Sequence, residues 1–530
     1  MRAADAEGTD HQVDDTDFAS ASAVGEAVFI FGSIAMQRGG VTRAILSRMR
    51  LFSDAGIKVR LLLTGHHHHE VREEAEIRKA WAMPDSVEIR YLWREVAPGG
   101  ASGPVDPLAA DRHEPGMTAF SENVKTGELV RFYRDGLLVK TKHFTDDGRI
   151  EQIEHHDAAR RCVSRAYFEG KGRLVYIDEM NVNTGKPALR RWFDRSGECW
   201  LTTWMTASGN PAATLRHGVE TVAYDNFGQF VARWVDEVLA DAVAPVIFSD
   251  SRGQDPVLLA LAHPTLRTVA VMHNCHTKEP FTAHDPTKLY WLPLLENLDS
   301  FDMVVSLTHQ QRDDVASRYG GSRHTVINHP TPPVEDVRVD RQPGRLVAVA
   351  RFAHQKRLDD AIRAFALAAP RVPGASFDIY GSGAEAAKLR ALVRSLDMTD
   401  RIQFRGFTHR ALEAFAGATA TVLSSRFEGF PLVINEAMGV GTPFVAYDIN
   451  YGPAEVIRHE VDGLLVPPGD VQALSEAMVR VLGDPDYGAQ LGERAREVTE
   501  RFSTRRWGEE WIGLFTDLVT RTLSAQNVTR

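Results

Sequence analysis

"ATVLSSRFEGFPLVINEAMGVGTPFVAYD", residues 420–448, contains an apolar run, a polar turn, a helical pattern and a second apolar run. "ATVLSS" (420–425) has the length and composition of a buried strand, and "PFVAYD" (443–448) reads the same way. "PLVINEAMGVG" (431–441) reads as a helix with Pro431 near its first turn, where a missing N–H costs nothing. The sheet to which these strands belong is therefore parallel, and "RFEGF" (426–430) is the turn at its carboxyl end. Backbone N–H groups from Gly429 through Phe430 to Leu432 precede the helix, at the positive end of its dipole. That arrangement suits a phosphate or sugar hydroxyls. Glu428 can accept hydrogen bonds from a polyol held there, and Glu436, about a turn into the helix, can reach a second diol. Solvated surface glutamates are the competing reading. Two carboxylates flanking a run of backbone donors suit a nucleotide sugar, with hydroxyls at both ends and a diphosphate between.

The same texture extends through the C-terminal half. "RLVAVAR" (345–351), "SFDIYGSG" (376–383) and "IQFRG" (402–406) read as strands, with helical patterns after the first two. In "VARFAHQKRLDDAIRAF" (349–365) a strand ends at Arg351, and Lys356 precedes an amphipathic helix. Two cations at the carboxyl end of a strand can neutralise a departing diphosphate, whereas a solvated basic turn is the plain alternative. Residues 345–505 are thus expected to form a doubly wound domain, followed by a C-terminal helix (506–530) that packs back across the domains.

Upstream, "AVFIFGS" (27–33), the pattern "VTRAILSRMRLFSDAG" (41–56) and "IKVRLLLTG" (57–65) make another βαβ unit. Parallel α/β texture resumes near 220, with strands at "PVIFSD" (245–250), "RTVAVMH" (267–273) and "FDMVVSLT" (301–308). Residues 25–83 and 216–330 are expected to form an N-terminal Rossmann-like domain on the acceptor side. A Pro-rich linker (331–344) follows, and an acidic, small-residue leader (1–24) precedes. Between 84 and 215 helical periodicity disappears. Asp135-Gly136, Asp147-Gly148 and Ser196-Gly197 punctuate short alternating runs, which predicts consecutive β-hairpins. The expected fold class is α/β, two Rossmann-like domains facing a cleft with an antiparallel β-rich insert. The insert's exposed edges favour pairing, so a homo-oligomer through it is expected.

Composition excludes several function classes. The formal net charge of −10 argues against a nucleic-acid partner. Three dispersed cysteines argue against a disulfide framework and for a cytoplasmic setting. No run approaches the ~20 apolar residues of a membrane span, which leaves peripheral attachment to the inner face of the membrane open. The first βα turn lacks a G-x-G-x-x-G fingerprint, which argues against a nicotinamide-dependent oxidoreductase.

Weaker signals complete the candidate site. Gly39-Gly40, between the first strand and its helix, allows close backbone approach to a phosphate. His273 and His276 follow a strand in "VMHNCHTK"; without a matching Cys or acidic partner they suit a polar wall of the cleft better than a metal site. The role of "HHHH" (66–69) is open.

These features together resemble the retaining GT-B glycosyltransferases of family 4, whose signature is E-x7-E. The match lies at Arg351, Lys356, Glu428, Gly429, Phe430, Pro431, Leu432 and Glu436, with "IYGSG" (379–383), "IQFRGF" (402–407) and "YGPAEVIRHEVDGLLVPPGD" (451–470) in support. The β-rich insert and "SLTHQQRDDV" (306–315) resemble enzymes that glycosylate poly(glycerol-phosphate) or poly(ribitol-phosphate) wall teichoic acid, and those that glycosylate serine-rich adhesins.

The resemblance implies a hexosyltransferase using a UDP-sugar, glucose or N-acetylglucosamine, with no cofactor and no metal. Arg351 and Lys356 would hold the diphosphate, and Glu436 the ribose. Glu428 and the Gly429–Leu432 backbone would hold the sugar, with Gly381, Gly39, Gly40 and His276 also on the donor side. His273 would face the anomeric carbon. The acceptor would be a polyol-phosphate polymer, or another glycan or protein. Arg160, Arg161, Arg165, Arg190 and Arg191 in the insert are candidates for a local basic groove. A non-catalytic partner subunit of such an enzyme is the main alternative.

Overall fold

A computed structural model describes residues 24–32, 40–66, 74–98, 109–124, 127–170, 172–332, 334, 337 and 339–528. The leader and Gly39 lie outside the described residues, as do His67–His69. The described residues divide into two compact units: residues 24–32 with 52–266, and residues 40–51 with 267–528.

The first unit holds a parallel sheet. Strand β1 (Gly25–Phe31) pairs with β2 (Lys58–Leu63) on one side and with the later strand β14 (Ala244–Ser249) on the other. Continuous Val, Ile, Leu and Phe runs suit strands covered on both faces. Phe29, Phe52 and Phe248 stack in its core, with centroids 5.2–6.1 Å apart. Strand β3 (Glu88–Tyr91), in the stretch whose lost periodicity assigns it to the insert, instead pairs parallel with β2. It has four residues, too few to show a period.

The insert is a ten-stranded antiparallel meander from β4 (Thr118–Val124) to β13 (Val222–Tyr224), each strand paired with its sequence neighbours. Its hairpins turn where the sequence places them. Asp135 and Gly136 both have positive φ, 49° and 78°, as a two-residue type I′ turn requires. One face buries Val130, Phe132, Phe144, Ile150 and Phe168. A second cluster ties the meander to the parallel sheet. Trp192 stacks on Trp93 at 3.9 Å, and the Trp93 indole N–H donates to the Thr64 carbonyl at 3.0 Å.

The second unit contains the parallel strands β15 (Arg267–Met272), β16 (Met303–Ser306) and β17 (His324–Val326). It also contains a six-stranded parallel sheet of β18 (Arg345–Val349), β19 (Ser376–Tyr380), β20 (Ile402–Gly406), β21 (Ala420–Leu423), β22 (Phe444–Tyr447) and β23 (Gly463–Val466). Their order is β20-β19-β18-β21-β22-β23. The chain starts in the middle, builds outward one way, then returns to build the other way. The strand order therefore reverses between β18 and β21, and ligands bind beyond the carboxyl ends of strands at such a point. Residues 40–51 of helix α1 (Gly40–Asp54) and the C-terminal helix α2 (Thr504–Val528) pack in this unit. Arg48 lies 4.3 Å from the Trp511 ring, and Arg267 donates to Thr522 at 2.8 Å. Among the described residues no helix is long and apolar enough to cross a membrane.

Candidate active site

Arg351 and Lys356 follow the carboxyl end of β18, and Glu428 follows that of β21, so the switch point brings together segments 72 residues apart. The exit from β18 is shaped by close backbone packing. Gly381 has φ of +139°, and a Cβ there would lie 1.9 Å from the Ala350 carbonyl oxygen. Only glycine meets both demands. The Phe352 amide then donates to the Ser382 carbonyl at 2.8 Å, and Arg351 between them is exposed, with no ion pair to a described residue.

The two exit loops are laced to each other. The Arg426 amide donates to the Gln355 carbonyl at 2.8 Å, and the Gln355 side chain returns a bond to the Phe427 carbonyl at 3.0 Å. Glu428 is 8% exposed. Its Oε1 accepts from Lys356 Nζ at 2.5 Å and from Ser425 Oγ at 2.6 Å. A carboxylate this buried keeps its charge cheaply only with such partners. Ser424 Oγ donates to the Arg357 carbonyl at 2.9 Å, which holds the Lys356 turn in place.

The Glu428 backbone bonds Asn450 and Tyr451 at 3.1 and 3.0 Å. Gly429 abuts the end of β15: a Cβ there would lie 2.1 Å from the His273 carbonyl oxygen. The amides of Gly429 and Phe430 donate to no described residue. Phe430 and Pro431 themselves are buried, the Phe430 ring packing on His329 at 5.8 Å and Phe502 at 5.9 Å. Their side chains anchor the turn, so a ligand would meet its backbone.

Glu436 sits on helix α3 (Leu432–Gly439), its side chain 14% exposed, with Oε1 accepting from Arg43 Nη1 at 3.1 Å. Gly40 opens α1 beside the same helix; a Cβ there would lie 3.5 Å from Leu432 Cδ1. His273 is half-buried and stacks on His329 at 5.5 Å. His276 departs from the cleft-wall expectation. Its ring is fully buried, parallel to Tyr451 at 6.0 Å, and neither ring nitrogen has a hydrogen-bond partner among the described residues. Burial, reinforced by the Arg318 and Lys288 charges, pushes its pKa down to about 4, so the ring is neutral packing material. The Tyr451 and Trp291 rings packed against it, not its polarity, decided its place.

The structure adds Ser425, Gln355 and Arg43 to the residues read from sequence. Ser425, three residues before Glu428 in "SSRFE", was within reach of a local reading; Arg43, 393 residues from Glu436, was not. Four of the five candidate arginines are matched by carboxylates: Arg161 by Asp157 at 2.8 Å, Arg165 by Glu154 at 2.8 Å, Arg190 by Asp178 at 2.6 Å and Arg191 by Glu179 at 2.6 Å. Those pairs leave little net positive field for a polyanion. Among the described residues no three His, Cys, Asp or Glu side chains are grouped to hold a metal ion.

Residues 335–498, which include both exit loops and both glutamates, match the family of group 1 glycosyl transferases. This segment is a group 1 glycosyltransferase domain. An exopolysaccharide phosphotransferase of Streptomyces coelicolor is 38% identical over 43% of this chain, which spans only 25% of that protein's length. A poly(glycerol-phosphate) alpha-glucosyltransferase of Bacillus subtilis is 22% identical over 91% of this chain and 74% of its own length. A point mutant of S. aureus TarM, crystallised with fondaparinux, alpha-GlcNAc-glycerol and UDP, superposes with a TM-score of 0.72. That likeness covers 92% of this chain and 99% of TarM at 17% identity, and it shows the fold, GT-B with a β-rich insert. The glycosyltransferase domain thus carries its candidate site on the sheet whose strand order reverses.

Proposed function

We propose that this chain is a retaining glycosyltransferase that moves a hexose from a UDP-sugar to a hydroxyl of a polyol-phosphate polymer, on the cytoplasmic side and without a metal ion. The observation that carries this reading is the Lys356–Glu428 contact at the switch point, with Arg351 exposed on the same loop as Lys356. Arg351 and the two remaining N–H donors of Lys356 bind the diphosphate and offset the charge that develops as it leaves. Glu428 receives sugar hydroxyls, with its charge kept by Lys356 and Ser425. Glu436 receives the ribose diol. His273, whose carbonyl borders Gly429, approaches the anomeric carbon from the opposite side of the turn.

The departing diphosphate oxygen takes the proton of the acceptor hydroxyl on the same face of the sugar. The new glycosidic bond then forms where the old one broke, and no protein base is needed. The choice of glucose or N-acetylglucosamine, and of a polyol-phosphate acceptor, rests on the relatives rather than on the insert arginines, whose charges are largely matched. Purified chain is assayed for UDP release from UDP-glucose and UDP-N-acetylglucosamine, with and without polyglycerol phosphate, and the anomeric configuration of the product is read by NMR. Acceptor-dependent release with an α product is expected. Release that polyglycerol phosphate does not stimulate overturns the acceptor, a β product overturns retention, and no release from either donor overturns the enzyme reading in favour of a non-catalytic subunit.

A further inference from the structure

Residues 40–51 of helix α1 belong to the unit that holds Glu436. Gly40 stands beside Leu432 at the start of α3, and one turn later Arg43 places Nη1 3.1 Å from Glu436 Oε1. Further along, Arg48 is 2% exposed against Trp511, and Leu51 borders Gly508, where a Cβ would lie 3.1 Å from Leu51 Cδ1. Helix α1 is therefore held from Gly40 to Leu51, and Arg43 is delivered to Glu436 by a packed element.

The two partners differ in exposure: the Arg43 side chain is 52% exposed and that of Glu436 only 14%. An ion pair this open adds little to stability, so its consequence lies in geometry. Glu436 Oε1 is engaged by Arg43, and Oε2 has no partner among the described residues. A carboxylate that is to accept from two neighbouring hydroxyls must be held in one rotamer. A guanidinium on one oxygen fixes it and leaves the other oxygen's lone pairs free.

We propose that Arg43 is a positioning residue for nucleotide recognition: it orients the Glu436 carboxylate for the ribose hydroxyls of the donor. This rests on the nucleotide-sugar reading above. Arg43 acts through Glu436, so its loss is felt by ligands that carry the 2′- and 3′-hydroxyls and little by those that lack both.

The test is calorimetric titration of the full chain with UDP and with 2′,3′-dideoxy-UDP, for wild type, R43A, R43K, E436Q and R43A/E436Q. Wild type is expected to prefer UDP over the dideoxy analogue. R43A is expected to weaken UDP about tenfold and to leave the dideoxy analogue within about twofold, the size of one charge-assisted contact. R43K recovers part of the preference, and R43A adds nothing in the E436Q background. Equal loss of both nucleotides in R43A would show that Arg43 meets the phosphates or only supports the fold, and would overturn the proposal, as would unchanged UDP affinity. Wild type that binds neither nucleotide would instead overturn the nucleotide-sugar reading, and this inference with it.

Discussion

Lys356 and Glu428 form one unit at the residue scale. Lys356→Ala removes a phosphate contact and also strips a nearly buried carboxylate of its strongest partner. We expect transfer to fall about 10²–10³-fold in kcat/KM, with the far-UV circular dichroism spectrum unchanged. Glu428→Gln keeps the shape and removes the charge, and it should fall by a similar factor. Near-wild-type turnover in either variant would remove both residues from the mechanism. The sequence made this pair legible because each residue sits just beyond a buried strand, and the carboxyl ends of neighbouring parallel strands converge. Arg351 was legible for the same reason. His276 was not. It shares a strand exit with His273, yet Tyr451, from a distant part of the chain, and Trp291 pack against it.

Among elements, the β18 exit depends on a neighbour's glycine. Gly381→Ala would place a methyl group 1.9 Å from the Ala350 carbonyl and force φ of +139° on an L side chain. We expect a cost of at least ~1–3 kcal/mol. A thermal melt should show a clearly lowered midpoint, and an assay should show lost turnover, because Arg351 moves with Ala350. A midpoint within a degree of wild type would contradict the packing described for this loop. Strand positions, the hairpin turns of the insert and the C-terminal helix were readable from apolar runs, Asp-Gly steps and helical spacing. The short strand β3 was not, since four residues carry no period and its identity comes from pairing with β2. The delivery of α1 to Glu436 was equally hidden, because it follows from tertiary packing by Trp511 and Gly508.

For the molecule as a whole, buried histidines give stability a pH dependence. His276 and His324 are both pushed down to about 4, chiefly by burial, with the Arg318 and Lys288 charges assisting at His276 and the Arg312 charge at His324. Between pH ~6.5 and ~4 the unfolded chain binds protons there that the folded chain refuses. Their contribution is thus complete above the unfolded value and lost as pH falls. Asp255, buried and raised to about 7, works oppositely over the same interval, because there the folded state holds the proton. The histidine effect is isolated by comparison. In urea melts at pH 7.5 and pH 5, wild type should lose on the order of a few kcal/mol more than His276→Gln/His324→Gln. Equal losses would contradict the assignment. At this scale the net charge of −10 speaks to a class of partner, nucleic acid, and leaves the acceptor surface unread. Arg165, Arg190 and Arg191 looked available in sequence and are matched across strands by Glu154, Asp178 and Glu179, which the sheet register brings near them.

A crystal structure of the chain with UDP bears on all of this at once. The diphosphate oxygens should lie within hydrogen-bond reach of Arg351 and Lys356, with the ribose hydroxyls on Glu436. UDP bound elsewhere, or on this sheet with its diphosphate away from both cations, would contradict the account.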